Sequence, residues 1–433
     1  MKKYLGVVVI IFLVLIPLFI WYLNASNLPL WTNVSVILRT LGRITGIAGM
    51  VLFAINMILS ARLKFLEPYF QGLPNLYNKH HLIGAIAFGL ILFHPLFLGA
   101  QFLSVSIIVA AQFFIPNFKN LPLLGGMISL GIMILSLFIT FYIRVAYQYW
   151  RFSHQFLGLA FIIASLHMFF ISSDVSNYSP LFWYMLVIVI LGILSFLFRS
   201  LFGSFFVKKY SYIVKNVINK NNSIVEIILS SVGQPMLYKS GQFAFVSFQA
   251  KNFSSEPHPF SIISKEGDPE ISFAIKKLGD YTNFLNQIPI GSSVLLEGAY
   301  GEFSKMARNK NSDQIWISGG IGVTPFISMT KSLSTGETKN IDFYYCVQSQ
   351  EEAVYLDVFQ KIAKERNTFR IISSYSNEQG YLTAQKINEL SQNLTNKEIY
   401  ICGPVPMMQI LRSGLIAIGV SNDQIHSEEF NLL

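Results

Sequence analysis

Apolar residues along the first half of the chain fall into six long stretches: about Lys3–Leu23, Val36–Leu59, His80–Phe102, Leu123–Val145, His154–Ile171 and Leu181–Leu201. Each is close to the roughly 20 residues that cross a bilayer as a helix. After Arg199 the period changes. Short β-like runs appear at Ser223–Leu229, Gln242–Phe248, Phe260–Ser264, Glu270–Ile275 and Ser293–Leu296, separated by Gly, Pro and Asn. That spacing predicts a small antiparallel barrel. Further on, Gln314–Ser318, Ile341–Val347, Phe369–Ser373 and Glu398–Cys402 alternate with helical segments, the pattern of a parallel α/β layer. The expected fold is a membrane all-α six-helix bundle (1–205), a β-barrel domain (206–308) and an α/β Rossmann-like domain (309–433).

Composition supports that division. The chain is 52% hydrophobic and 13% charged, against about 25% charged for soluble domains. A disordered chain or an ordinary soluble enzyme is thereby excluded. Of the net +9 charge, all lies in residues 1–205, which hold 11 Lys+Arg and 2 Asp+Glu; residues 206–433 hold 21 of each sign. A neutral second half argues against a nucleic-acid partner. Lys2, Lys3, Arg62, Lys64, Lys79, Arg144, Arg151 and Arg199 border the stretches on one side, and the opposite loops carry only Lys119. The positive-inside rule then gives a multi-pass protein of the inner or plasma membrane with both termini cytoplasmic. The first stretch is long for a signal peptide and lacks an A-x-A site, so an uncleaved helix is expected. Leu103–Pro122 extends the third helix or lies at the outer interface. Two cysteines, Cys346 and Cys402, exclude a disulfide framework and a cysteine-built zinc or iron–sulfur centre.

Five of the seven histidines lie in the bundle: His80, His81, His94, His154 and His167. Ionisable groups inside spans are costly and mark function. His80 and His94 are 14 residues apart, a rise of about 21 Å that returns to within about 40° of the same helix face. His154 and His167 stand 13 apart on a parallel span, which leaves about 140° and calls for overwinding, a bulge or a kink. The pattern pairs His80 with His154 at one depth and His94 with His167 at another. Two stacked bis-histidine b-type haems suit it, since imidazole is a good haem-iron ligand. Interhelical hydrogen bonding alone does not call for a matched two-by-two set. His81 reads as a polar cap at the interface. Arg39 and Arg43 lie in the outer half of the second span, where Arg pairs with propionates or snorkels to the surface; Arg43 is the deeper.

The second half carries a series of motifs. Gly319-Gly320-Ile321-Gly322-Val323-Thr324-Pro325 is a glycine-rich turn from a strand into a helix running to Leu333, a place where backbone amides and a helix N-terminus approach a phosphate. His258-Pro259-Phe260-Ser261 resembles the flavin motif of NADPH oxidases and ferric reductases. Gly279-Asp280-Tyr281-Thr282 resembles the pyrophosphate-side segment of that site, and Gly298-Ala299-Tyr300-Gly301 its Gly-Pro-Tyr-Gly turn with Ala299 in place of proline. Cys402-Gly403-Pro404 with Met407 resembles the Cys-Gly-Pro motif beside the nicotinamide. Glu429-Phe430 resembles the terminal segment whose aromatic covers the flavin ring. In this order, from Leu41-Gly42-Arg43 to Phe430, the set is similar to the NADPH oxidase and ferric reductase family, with its ferric reductase-type membrane domain and ferredoxin–NADP reductase-type dehydrogenase domain. The short, uninterrupted layout resembles prokaryotic members.

The resemblance implies FAD at His258, Pro259, Phe260, Ser261, Gly279, Tyr281 and Thr282, and NADPH or NADH at Gly319, Gly320, Gly322, Thr324, Pro325, Gly403 and Pro404. Hydride transfer near Cys402 and Phe430 would feed single electrons to haems at His80/His154 and His94/His167, with Arg43 assisting the outer acceptor electrostatically. The implied activity is an NAD(P)H oxidase forming superoxide from external O2. A ferric or cupric reductase, or an electron donor to an outer partner protein, shares every motif. Membrane lipid is the expected surround. No EF-hand loop is present, so activity without a calcium switch or an obligatory protein activator is expected. Gln348, Ser349, Gln350, Glu351 and Glu352 follow the second Rossmann strand where relatives often carry Arg. A carboxylate there favours a ribose diol, unless Arg366 or Arg370 arrives from elsewhere.

Overall fold

The computed structural model describes residues 2–25, 30–143, 147–200, 207–251, 253–279, 281–303, 307, 312–334 and 338–428. The chain divides into two compact units, Met1–Phe70 with Leu76–Phe206, and Gln71–Asn75 with Val207–Leu433.

The first unit is built from α1 (Lys2–Ala25), α2 (Val34–Ser60), α3 (Leu73–Ala100), α4 (Leu121–Tyr142), α5 (Tyr147–Phe170) and α6 (Ser179–Ser200). All six are long and apolar enough to cross a membrane. α2 is the inner helix: every residue from Ile47 to Met57 is buried. The others turn Phe12, Phe19, Phe93, Phe138 and Phe170 outward, as expected where hydrocarbon rather than water is the solvent. Asn33 and Asn120 cap α2 and α4, their side-chain oxygens accepting the N–H of Val36 and Leu123 at 3.0 and 3.1 Å and so satisfying orphan donors of the first turn. α3 and α5 begin seven residues before His80 and His154. The apolar pattern stops at those histidines, while the hydrogen-bonded ladder continues through the polar turns ahead of them. α5 runs as one α-helix, Tyr147–Phe170, without a π-turn, so of the overwinding, bulge or kink that the 13-residue spacing calls for, the bulge is not found. A 3₁₀ turn, Gln101–Ser104, leads into the Leu103–Pro122 segment, which holds a short helix, Ile107–Gln112. Arg144, Val145 and Leu201 lie outside the described residues.

In the second unit, six strands come first: β1 (Lys209–Asn219), β2 (Ile224–Ser231), β3 (Phe243–Gln249), β4 (His258–Ser261), β5 (Glu270–Lys276) and β6 (Ser293–Tyr300). Their order is β4-β3-β6-β1-β2-β5, and every pairing is antiparallel. A bridge between Ile262 and Phe273 joins the two edges and closes the barrel, around buried Val214, Val225, Val246 and Phe273. Then follow β7 (Gln314–Gly319), α7 (Thr324–Lys331), β8 (Ile341–Val347), α8 (Leu356–Glu365), β9 (Phe369–Tyr375), α9 (Ala384–Ser391), β10 (Glu398–Cys402), α10 (Val405–Ala417) and β11 (Ile425–Glu428). The sheet order is β11-β10-β7-β8-β9, with all pairs parallel. The chain therefore builds outward from β7 in one direction and then crosses to its other side at β10. Ligands of open α/β sheets bind in the crevice at such a switch point.

Candidate functional site

In the helical unit, the two histidines of α3 lean on α2 and the two of α5 lean on α4. His80 Nδ1 is 3.2 Å from the main-chain oxygen of Asn56, and His94 Nδ1 is 2.7 Å from that of Gly42. His167 Nδ1 is 2.7 Å from the oxygen of Pro122, and His154 Nδ1 is 3.5 Å from the Thr140 hydroxyl. A carbonyl only accepts, so in three of the four the proton sits on Nδ1 and the lone pair on Nε2. Among the described residues none of the four Nε2 atoms has a hydrogen-bond partner. This is the tautomer and outer-shell arrangement of a metal-ligating imidazole. The His80 and His154 ring centres are 6.3 Å apart. Two imidazoles on opposite sides of one metal ion, at metal–nitrogen distances of about 2.1 Å, stand about 6 Å apart by the same measure. His81 is exposed.

Two glycines make room for His94 and His167. A Cβ on Gly46 would lie 2.6 Å from His94 Nδ1, and one on Gly126 would lie 2.8 Å from His167 Nδ1. Sequence reasoning did not single these positions out. At the same end of the bundle, Arg43 does not stand alone: its Nε is 3.4 Å from Asp174 Oδ2. That oxygen also accepts the indole N–H of Trp21 at 2.8 Å. Arg39 is exposed and donates to the Gln101 side chain at 2.8 Å.

In the barrel, His258-Pro259-Phe260-Ser261 forms all of β4, paired with β3 from Phe243↔Ser261 to Val246↔His258. Pro259 is tolerated because β4 ends the ladder, where a missing N–H is cheap. The Tyr281 ring lies 3.9 Å from that of His258, centre to centre, so two segments far apart in sequence share one place. Burial pushes the Tyr281 hydroxyl up to about 12, which keeps it a neutral donor. Thr282 Oγ1 accepts the N–H groups of Leu278 and Gly279 at 2.9 and 3.2 Å and shapes the Gly279 turn. Asp280 lies outside the described residues.

At the switch point, the glycine turn and the cysteine motif meet. Ser318 of β7 pairs with Cys402 of β10. A Cβ on Gly322 would sit 2.3 Å from the Cys402 oxygen, so only glycine lets the turn press against β10. Gly320 adopts φ +52°. Thr324 and Pro325 open α7, and Pro404 caps α10. Cys402 is fully buried and its Sγ faces the main-chain oxygen of Glu428 at 3.6 Å. Burial, then the Glu428 carboxylate, hold its thiol well above the usual range. Glu428 is itself buried and reaches toward Gly301, its Oε1 3.1 Å from where a Cβ would stand. It was missed in the sequence, where its one signal is a position two before Phe430. Glu429 and Phe430 lie outside the described residues.

Neither distant arginine arrives at the nucleotide end. Arg370 pairs with Asp342 at 2.8 Å and donates to the Leu390 oxygen, while Arg366 donates to the oxygens of Ser334 and Leu333. Asp342 and Arg370 sit at the starts of β8 and β9, the edge opposite the glycine turn. At the ends of those strands, the Glu352 carboxylate accepts the Gln348 N–H at 3.3 Å.

Comparison with known proteins agrees with this division of labour. A ferric reductase like transmembrane component matches residues 45–165, an FAD-binding domain residues 209–324 and an oxidoreductase NAD-binding domain residues 316–413. This is the architecture of the NADPH oxidase and ferric reductase family. The chain thus carries an FAD-binding domain and an oxidoreductase NAD-binding domain after a transmembrane component in sequence. The reductase component of propane 2-monooxygenase from Rhodococcus jostii is 26% identical over 210 residues, 45% of this chain and 55% of that protein. Flavohemoprotein B from Dictyostelium discoideum is 28% identical over 192 residues, 40% of this chain and 45% of that one. The chain spans about half the length of these curated relatives. A solved flavohemoglobin from Malassezia yamatoensis shares the fold at TM-score 0.53 and 16% identity, over 91% of this chain and 96% of that one.

Proposed function

We propose that the protein moves electrons from NAD(P)H across a membrane to dioxygen on the far side, forming superoxide. The observation that carries this reading is the set of four histidines, each with Nδ1 facing a protein oxygen and Nε2 left without a partner. They would hold two haems, His80 and His154 serving one and His94 and His167 the other. No group of three or more His, Cys, Asp or Glu able to hold a metal ion occurs among the described residues. Paired protein ligands suit an iron whose remaining ligands come from a macrocycle. When bound, FAD supplies the conversion of a two-electron hydride into single electrons, and haem supplies one-electron carriers.

The chain's own groups do the rest. His258, Pro259, Phe260, Ser261, Gly279, Tyr281 and Thr282 hold the flavin. Gly319, Gly320, Gly322, Thr324, Pro325, Gly403 and Pro404 cradle the nucleotide. Cys402 is a neutral thiol beside the nicotinamide position, and Phe430 covers the flavin ring. Two imidazoles committed to each haem would leave no open place for dioxygen on the metal, and Arg43 offers positive charge where superoxide forms. One NADH reduces two dioxygen molecules to two superoxides and releases NAD⁺ and one proton. NADH is the preferred donor on this reading, because Glu352 follows the second Rossmann strand, where a carboxylate favours a ribose diol over a 2′-phosphate. Both termini lie on the donor side.

A second reading, a ferric reductase, is favoured by the description of the matched transmembrane component. Cytochrome c reduction by the purified, FAD-supplied protein, with and without superoxide dismutase, decides between them. Loss of the signal with dismutase is expected. Persistence, with faster anaerobic reduction of a ferric chelate, replaces the oxidase by the reductase. Separately, His94→Ala or His167→Ala should each remove one haem spectrally; unchanged haem content overturns the ligand assignment.

A further inference from the structure

The outer end of the bundle holds one carboxylate. The first 205 residues contain only two acidic side chains, Glu67 and Asp174. Glu67 begins the short helix Glu67–Phe70 between α2 and α3, at the opposite end. Asp174 begins the single helical turn Asp174–Asn177, which follows α5. That turn is fixed by Ser173 and Ser176: the Ser173 N–H donates to Ser176 Oγ at 2.9 Å, and Ser176 Oγ donates to the Ile171 oxygen at 2.8 Å. Asp174 Oδ2 meets Arg43 of α2 and Trp21 of α1 at once. Three separate segments thus converge on one carboxylate oxygen. An ordinary surface ion pair loses most of its value to side-chain entropy and screening. Here the indole donor and the capped turn hold the carboxylate in place, and both partners are half-buried.

Arg43 also stands next to the residue that fixes His94, since the Gly42 oxygen receives His94 Nδ1. The Arg43–Asp174 pair therefore adds little net charge near His94, while Arg39, one turn away on α2, donates to the neutral Gln101 and keeps its charge. We propose that Asp174 is a specificity-determining residue for the outer acceptor. It offsets part of the Arg43 charge, which lowers the pull on anionic metal chelates and leaves a small neutral acceptor favoured. This rests on the reading that electrons leave at the His94/His167 end.

The test uses the full-length protein loaded with FAD and haem in nanodiscs, with saturating NADH. Three acceptors are compared: dioxygen, ferric-EDTA as an anion and hexaammineruthenium(III) as a cation. Asp174→Asn should lower KM for ferric-EDTA, a monoanion, about fivefold, the effect of one unit charge at about 8 Å in an effective dielectric of about 40, and raise that for hexaammineruthenium, a trication, about a hundredfold. KM for dioxygen should change less than about twofold, as a neutral molecule feels no monopole. Asp174→Glu should behave as the parent. Arg43→Gln should move the anion-to-cation ratio the opposite way, which keeps the proposal testable should Asp174→Asn misfold. A ratio unchanged in both variants overturns it, and so does a Glu variant indistinguishable from Asn. If the parent protein reduces none of the three, the reading of the outer exit fails and takes this proposal with it. If the parent is active and the ratio does not move, only the role of Asp174 falls.

Discussion

Substituting Gly46 by Ala probes the outer histidine pair with a single methyl group. The new Cβ would stand 2.6 Å from His94 Nδ1 and 2.9 Å from its Cε1, well inside van der Waals contact. The imidazole must swing away, and its 2.7 Å hydrogen bond to the Gly42 oxygen is lost with it. Overpacking costs about 1–3 kcal/mol, and the lost hydrogen bond about 0.5–1.5 kcal/mol. Alanine returns about 1 kcal/mol of helix propensity. The net penalty of about 1–3 kcal/mol falls on ligand geometry while the helix itself is, if anything, firmer. Outer-shell partners of metal-ligating histidines carry about 10- to 100-fold in metal affinity, a consistent figure. The assay is haem per chain by pyridine haemochrome, with midpoint potentials from a redox titration. Gly46→Ala should lose the outer haem or shift its potential, and Gly126→Ala should do the same through His167. Gly89→Ala and Gly131→Ala are the controls, since a Cβ at either meets nothing within 4 Å. If Gly46→Ala keeps two haems at the parent potentials, the steric argument is wrong.

Two further outcomes are expected. The protein should prefer NADH, and Gln348→Arg should raise kcat/KM for NADPH about tenfold, the scale of one added charge-assisted contact; steady-state kinetics with both donors check it, and an unaltered preference refutes the placement of the 2′-position. Cys346, pushed up to about 12 by burial, and Cys402, held well above the usual thiol range by burial, should resist iodoacetamide at pH 8, because the thiolate is the nucleophile. Labelling should appear on denaturation, and rapid labelling of the folded protein read by peptide mass spectrometry would contradict the burial.

The six spans were legible because a bilayer demands about 20 apolar residues in a row, a signal no soluble context dilutes. Their inner ends were not. Leu73–Lys79 mixes Pro, Asn, Tyr and Lys with Leu, and a helix continues there on hydrogen bonds that leave no mark on hydropathy. β1 escaped notice for a different reason: the register slips between Val214 and Asn216, so the alternation that betrays a half-buried strand breaks in the middle. β11 is four residues long and mostly polar in sequence. The four bundle histidines were visible as spacing, but their supports were not. Carbonyls have no sequence signature, and Gly46 or Gly126 looks like any glycine in an apolar helix. The partner of Arg43 lay 131 positions away, in a loop read only for its charge. Arg366 and Arg370 show the reverse case, charges available in sequence that folding commits to the other edge of the sheet.

α2 and α3 carry matched rulers. Gly42 and Asn56 are 14 residues apart, and so are the histidines they hold, His94 and His80. One residue inserted between either pair would turn its far end by about 100° and advance it about 1.5 Å, so one imidazole would lose its carbonyl while the other kept it. Only a compensating insertion in the neighbouring helix restores both. The distance between the two histidines is thus a shared dimension of two helices, and a lineage that altered it would have to alter it twice.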